Sequence, residues 1–240
     1  MYLSRFTMNP QRRGSRELVA NPQALHAAVM ACWPDRGHDG DGRVLWRLDR
    51  VGHNHELYVV SRDAPSFDHL REQAGWSAED TGVVRDYRPL LDRLEAGQRY
   101  RFRLTANPTH VVTDPDGRKR RLGHVTAAYQ RAWLEDRCDR LGVSFPRLES
   151  GEPTVVVTGR EKVTFRRGRG RVTLQRATYD GLLEVTDPGA LRTVLCEGLG
   201  RAKAYGCGLV TLAPAAPAGP GGVMHDRIAT VDAAAAHPRL

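Results

Sequence analysis

The sequence predicts an α+β protein made of two tandem ferredoxin-like (RRM-like, βαββαβ) domains. Three observations carry this prediction. An order of strand, helix, strand, strand, helix, strand fits residues 1–90, and the same order recurs over residues 97–214. The chain has 240 residues with 40% hydrophobic content, enough for two small cores. Beyond Pro214 the segment is rich in alanine, proline and glycine with little apolar periodicity, so 215–240 reads as a disordered tail.

In the first unit, "YLSRFTM" alternates apolar and polar residues from Tyr2 to Met8, as a half-buried strand does. "NPQALHAAVMACW" offers Asn21 as a helix cap with Pro22 in the first turn, after an arginine-rich stretch with no assigned element. "RVLWRLDR" and "ELYVVS" form two strands around the turn "VGHNH". "SFDHLREQAGW" is the second helix, and Gly82 to Arg88 closes the unit as a strand. The second unit opens with "RYRFRLTANP" and a polar "TDPDGRKRR" turn. A helix then runs through "HVTAAYQRAWLEDRCDRLG" until Gly142 stops it. "TVVVTGREKVTFRR" and "RVTLQRATYDGLLEVTD" flank the turn "GRG", "DPGALRTVLCEGLG" is the last helix, and "GLVTLAP" is the closing strand. The halves share element order and no detectable sequence identity.

Lys and Arg number 36 against 28 Asp and Glu, a net charge of +8, and only Lys119, Lys162 and Lys203 are lysines. A surplus made of arginine forks suits phosphate contact and base stacking, although a GC-rich coding habit produces the same bias. Cys32, Cys138, Cys196 and Cys207 lie far apart and form no zinc-binding spacing, so they read as reduced. No run of eighteen apolar residues and no signal-peptide pattern occurs, which predicts a cytoplasmic protein without a membrane partner.

Three stretches carry chemistry. "GLGRAKAYGCG" places Gly198, Gly200, Gly206 and Gly208 around Arg201, Lys203 and a tyrosine. A helix precedes it and no GK[ST] dipeptide occurs, so a nucleotide-binding loop is not indicated. Glycine backbone beside two cations would let a phosphate chain approach the amides, whereas a helix cap and tight turn would need only one or two glycines. "GREKVTFRRGRGR" places Arg160, Lys162, Arg166, Arg167, Arg169 and Arg171 in one hairpin, with Arg176 just beyond. It could lie in a groove of an RNA stem, or be a solvated hairpin whose charged edges discourage aggregation. His26 borders the apolar stripe of Leu25, Ala28, Val29 and Cys32 without joining it, a position that suits a packing residue or a catalyst. His53 and His55 alternate but lack a third metal ligand, and His69, His110 and His124 suggest no nucleophile triad.

"GLGRAKAYGCGLVTLAP" resembles the C-terminal glycine-rich motif of the CRISPR repeat-processing endoribonucleases, specifically the CasE family of type I-E systems. "MYLSRFTMNP", "ANPQALHAAV", "LYVVSRDAP" and "GQRYRFRLTANPT" agree in order, so the resemblance spans residues 1 to about 214. It implies an enzyme that binds the hairpin of a CRISPR repeat transcript and cuts at the base of the stem without metal or cofactor. It further implies that the guide RNA is retained with the other subunits of Cascade.

The resemblance also makes His26 the catalytic histidine. A 2′-hydroxyl that loses its proton can attack the adjacent phosphorus, expel the 5′-oxygen and leave a 2′,3′-cyclic phosphate. Imidazole can serve as base or acid in that step. Several relatives carry a tyrosine three residues earlier, where this chain has Gln23, which cannot exchange a proton near pH 7. Lys162, Arg160 and Lys203 are the candidates to stabilise the phosphorane charge. The alternatives are a module that holds an RNA hairpin without cutting it, and a metal-dependent nuclease using His53 and His55.

Overall fold

A computed structural model describes residues 1–34, 43–77 and 81–215. The tail expected beyond Pro214 lies, from residue 216 on, outside the described residues. The N-terminal unit runs β1 (Tyr2–Met8), α1 (Arg13–Ala20), α2 (Pro22–Met30), β2 (Leu45–Val51), β3 (Asn54–Ser61), α3 (Asp68–Ala74), β4 (Gly82–Asp86) and a short α4 (Arg88–Asp92). The C-terminal unit runs β5 (Arg99–Ala106), β6 (Thr109–Thr113), β7 (Lys119–Gly123), α5 (Ala127–Glu135), α6 (Cys138–Leu141), β8 (Val143–Ser144), β9 (Val155–Arg167), β10 (Gly170–Val185), α7 (Pro188–Glu197), a 3₁₀ turn (Lys203–Tyr205) and β11 (Val210–Pro214).

The first sheet has the order β2-β3-β1-β4, and the second has β11-β5-β10 with β9 and β8 both pairing with β10. Numbered within each unit, both sheets place strand 1 between strands 3 and 4 with strand 2 outside strand 3, the antiparallel order of a ferredoxin-like unit. Alternation drives each sheet. Phe6 and Met8 of β1 face the helices with Trp46, Leu57 and Val59, and close a core with Leu25, Val29 and Leu70. The second core gathers Phe102, Leu104, Trp133, Tyr179, Leu183, Leu191 and Leu195, and draws in Leu45, Val60, Tyr87 and Leu91 from the first unit.

The opposite face of the first sheet meets the second sheet through a buried charged layer. Arg47 of β2, 1% exposed, holds Asp49 in a fork of two 2.8 Å hydrogen bonds. The same guanidinium donates across the seam to the carbonyls of Arg103 (2.9 Å) and Leu209 (3.1 Å) and to Thr211 Oγ1 (2.8 Å). Arg103 then pairs with Asp180 at 2.6 Å. A fork whose donors all find acceptors ties the two units into one body.

Several elements differ from the sequence reading. The arginine-rich stretch before Asn21 is a helix, α1, so the helix bearing His26 is the second. Its one buried apolar side chain, Leu18, gives too short a stripe to read. The "TDPDGRKRR" stretch is only partly a turn: Thr113 ends β6 and Lys119, Arg120 and Arg121 open β7, and among the described residues these two strands form a sheet of their own. The long helix expected up to Gly142 breaks into α5 and α6; Gly142 does end α6, with φ +68°.

Candidate active site and nucleic-acid interface

Asn21 fixes the start of α2: its side-chain oxygen accepts from the amides of Gln23 (3.0 Å) and Ala24 (3.3 Å), and Pro22 fills the first turn. Leu25, Ala28 and Val29 turn to the core, which leaves His26 half-buried at the edge of that stripe, as the periodicity predicts. Its Nδ1 is shut off from solvent and has no hydrogen-bond partner among the described residues. Burial, and then the charge of Arg167, push the His26 pKa below the ordinary 6.5. Both causes favour the neutral form of the ring.

The second wall comes from the C-terminal unit. The β9–β10 hairpin reaches α2, and the 3₁₀ turn of the glycine loop packs against both α2 and β2. Tyr205 from that loop sets its ring edge-on to His26 at 6.3 Å between centroids and edge-on to Phe165 of β9 at 4.6 Å. Its hydroxyl donates to Gln23 Oε1 at 3.4 Å, a long hydrogen bond. The site thus gathers His26 and Gln23 from one unit, and Phe165, Arg167 and Tyr205 from the other.

The glycines have an internal reason that the sequence reading does not supply. All four have φ between +74° and +94°. A Cβ at Gly206 would meet the Trp46 ring at 2.7 Å, and one at Gly208 would meet the Leu199 carbonyl oxygen at 2.7 Å. Gly198 and Gly200 lie likewise against Leu45 and Trp133. The loop closes at its base through Leu199 N–H to Gly208 O (2.9 Å) and is pinned to β5 through Gly208 N–H to Thr105 O (2.7 Å). The close approach these glycines permit is of the protein to itself, and its product is the placement of Tyr205.

The basic candidates divide. Side chains alternate along β9, so Phe165 on the His26 side puts Lys162, three positions earlier, on the other face. Lys162 pairs with Gln175, whose side chain lies against Gly123 of β7, so the structure does not bring Lys162 to His26. Arg160 shares that outer face and donates to the Val125 carbonyl at 3.4 Å. Arg166 and Arg171 stand opposite each other near the hairpin tip, with Arg167 and Arg169 beside them, all exposed. Lys203 turns inward: its ammonium donates to the Glu197 carbonyl at the end of α7, and burial, reinforced by Arg43 and Arg140, lowers its pKa. Arg201 stays exposed in the loop.

Tyr205 and Phe165 are the site residues that sequence reasoning misses. The one available signal for Tyr205 is a large aromatic among glycines, 182 positions away from Gln23. Phe165 reads as an ordinary alternating strand residue. Among the described residues no group of three or more His, Cys, Asp or Glu could hold a metal ion. Burial and then Arg50 lower the His55 pKa. His69 is bonded to the Ala28 carbonyl at 2.9 Å.

A family profile described as "CRISPR associated protein" matches residues 1–214. The chain belongs to that family. Within it, the chain is 30% identical over 222 residues to the CRISPR-associated endoribonuclease Cse3 of Thermus thermophilus, covering 89% of this chain and all of that one. It is 28% identical over 225 residues to the CRISPR system Cascade subunit CasE of Escherichia coli, again covering 89% of this chain and all of the relative. The fold is similar to that of Thermus thermophilus Cse3 bound to an RNA representing a pre-cleavage complex, with TM-score 0.74, 29% identity, and 89% and 98% of the two chains covered. Cas6e from Escherichia coli shares the fold at TM-score 0.54 and 22% identity, covering 90% of this chain and all of that one. No helix among the described residues is long and apolar enough to cross a membrane.

Proposed function

We propose that this protein is an endoribonuclease that binds the hairpin of a CRISPR repeat transcript and cuts it at the base of the stem by 2′-hydroxyl attack. The observation that carries the reading is the half-buried imidazole of His26, set between the two units with Tyr205 edge-on to it and Arg167 near enough to lower its pKa. Relatives of nearly full coverage are named endoribonuclease and Cascade subunit, which supports RNA as substrate and a multisubunit complex as the product's destination.

His26, whose surroundings favour the neutral ring, is suited to take the proton of the 2′-hydroxyl. The freed oxygen attacks phosphorus as the bond to the 5′-oxygen breaks, and the departing oxygen takes up a proton from water. The products are a 2′,3′-cyclic phosphate and a free 5′-hydroxyl. Arg167 brings a permanent positive charge to the place where the phosphorane becomes more negative. Tyr205 adds a hydroxyl donor beside the imidazole, a capacity that Gln23 extends only through its amide. No metal is routed through this chemistry.

Cleavage of the repeat hairpin in EDTA tests the proposal. The wild-type protein should cut plain RNA and bind, without cutting, an RNA with a 2′-deoxy sugar 5′ of the scissile phosphate. His26→Ala should bind the hairpin as before and cut about 10²–10⁴-fold more slowly. Full activity of His26→Ala would overturn the assignment of the site. Tight binding with no cutting by the wild-type protein would leave an RNA-holding module, and cutting only on addition of metal would favour a metal-dependent nuclease.

A further inference from the structure

Of the groups that surround His26, one is held by both its ring and its backbone. Tyr205 is only 8% exposed, and its ring meets Phe165 edge-on at 4.6 Å and His26 edge-on at 6.3 Å between centroids. Its amide donates to the Ala202 carbonyl at 2.9 Å, and the next residue, Gly206, lies against the Trp46 ring. Arg167, by contrast, is exposed near the tip of the β9–β10 hairpin. A ring locked by its neighbours delivers its hydroxyl to one place, which is what a group acting on a transition state needs.

That place is one helical turn from the imidazole. Gln23, which accepts from the Tyr205 hydroxyl, stands three residues before His26 on α2, so the two side chains leave the same side of the helix, about 5–6 Å apart at Cβ. At 3.4 Å the hydrogen bond is long against the roughly 2.7–2.8 Å usual for a hydroxyl donor. The amide oxygen therefore keeps the phenol in line without gripping it. A phosphate oxygen is the stronger acceptor, because hydrogen bonds to an ionised group are shorter and about twice as strong as neutral ones. Gln23 is itself only half-buried, so its oxygen can return to water when the phenol leaves it.

We infer that Tyr205 is a second catalytic residue, whose hydroxyl turns from Gln23 to a non-bridging oxygen of the scissile phosphate, and that Gln23 is the residue that positions it. This builds on the proposed function, which brings the scissile phosphate to His26. Tyr205 keeps its hydrogen and donates a hydrogen bond, while the proton of the 2′-hydroxyl goes to His26. As the freed oxygen attacks, the non-bridging oxygens gain negative charge, so the bond from Tyr205 strengthens on the way to the phosphorane. An interaction stronger in the transition state than in the bound RNA raises the rate more than it tightens binding. Each wall of the cleft then gives the reaction one group, α2 the imidazole and the glycine loop the phenol.

Single-turnover cleavage and hairpin affinity, measured on the full chain, separate this role from packing. Tyr205→Phe keeps the ring and should lower the cleavage rate about 10²-fold, the cost of one such donor, with the hairpin Kd within about twofold of wild type. Gln23→Ala leaves the hydroxyl unaimed and should slow cleavage about tenfold. In the Tyr205→Phe background the same change should cost nothing more, because no hydroxyl remains to be positioned. Sulfur accepts hydrogen bonds weakly, so a phosphorothioate at the scissile position should slow the wild-type protein in one diastereomer, and that slowing should disappear in Tyr205→Phe. A wild-type rate in Tyr205→Phe would overturn the inference, as would equal losses of rate and affinity. Additive losses in the double variant, or a sulfur effect that Tyr205→Phe leaves unchanged, would overturn it too. An inactive His26→Ala beside a fully active Tyr205→Phe would sink this inference alone; a fully active His26→Ala would sink the proposed function with it.

Discussion

The two βαββαβ units share a strand order and differ in where chain is added to it. In the N-terminal unit the second and third strands are 7 and 8 residues long and meet at a tight turn. Their counterparts in the C-terminal unit, β9 and β10, are 13 and 16 residues long, so the hairpin extends beyond the sheet that anchors it. The same unit adds the β6–β7 ribbon and the glycine loop. One unit therefore holds a titratable helix on a compact base, and the other supplies the arms that reach it. A cleft built this way depends on the seam between the units as much as on either side of it.

The largest expected effect comes from breaking that seam. Arg47→Ala would leave Asp49 buried, with Arg103 no nearer than 3.8 Å, and would free acceptors on β5 and β11. A loss of about 3–5 kcal/mol in urea unfolding is expected. Arg47→Lys should recover little of it, because an ammonium cannot reproduce the fork. A loss under about 1 kcal/mol would mean that apolar packing alone joins the units.

The second prediction separates the arms from the base. Replacing Arg166, Arg167, Arg169 and Arg171 with Gln should weaken hairpin binding and flatten its log–log salt dependence by about 0.7–0.9 for each phosphate no longer neutralised. Arg13→Gln with Arg16→Gln, on the exposed helix α1 of the compact unit, should leave the slope unchanged. Equal slopes in the two variants would show that RNA does not distinguish the units.

How much of the molecule is legible in its sequence follows from the range of each interaction. Alternation and capping are local, so β1, the Asn21 cap, the β9–β10 hairpin and the position of His26 at the edge of its stripe can all be read. Contacts between units cannot. Nothing local marks Arg47 as bridging to Leu209, or Tyr205 as meeting Gln23, because each contact exists only once both sheets have closed. The glycine loop is legible as unusual but not as to cause: its backbone is bare because Trp46 and Leu199 lie against it. Lys162 is a plausible partner for His26 only in sequence, because composition shows that a cation is present and not which strand face it takes.

The glycine loop gives a third, smaller effect of two opposite signs. Ala202 is the one non-glycine residue with positive φ, +62°, among the described residues. Ala202→Gly relieves a left-handed conformation costing about 1–2 kcal/mol, offset by about 0.5–1 kcal/mol of added freedom in the unfolded chain, so a gain of between about 0 and 1.5 kcal/mol is expected. Gly206→Ala should destabilise, since its Cβ would press on Trp46 and push Tyr205 from His26. Paired thermal melts and cleavage rates check both. Faster cutting by Gly206→Ala would mean that Tyr205 obstructs the cleft rather than completing it.

The smallest effect tests whether the arm tunes the helix electrostatically. Arg167 is the second cause of the lowered His26 pKa, after burial, so Arg167→Gln should raise the midpoint without bringing it fully back to 6.5. The sign follows from the charge: a cation near the imidazole disfavours its protonated form, and removing the cation lets the ring bind a proton at higher pH. NMR titration of His26 reads this directly. If the neutral ring is the base, the acidic limb of the cleavage profile should move to higher pH in the variant by the same amount, with the plateau lowered by whatever Arg167 contributes to the phosphorane. An unmoved midpoint would assign the shift to burial alone. An acidic limb that moves without the midpoint would mean that the rate reports a group other than His26.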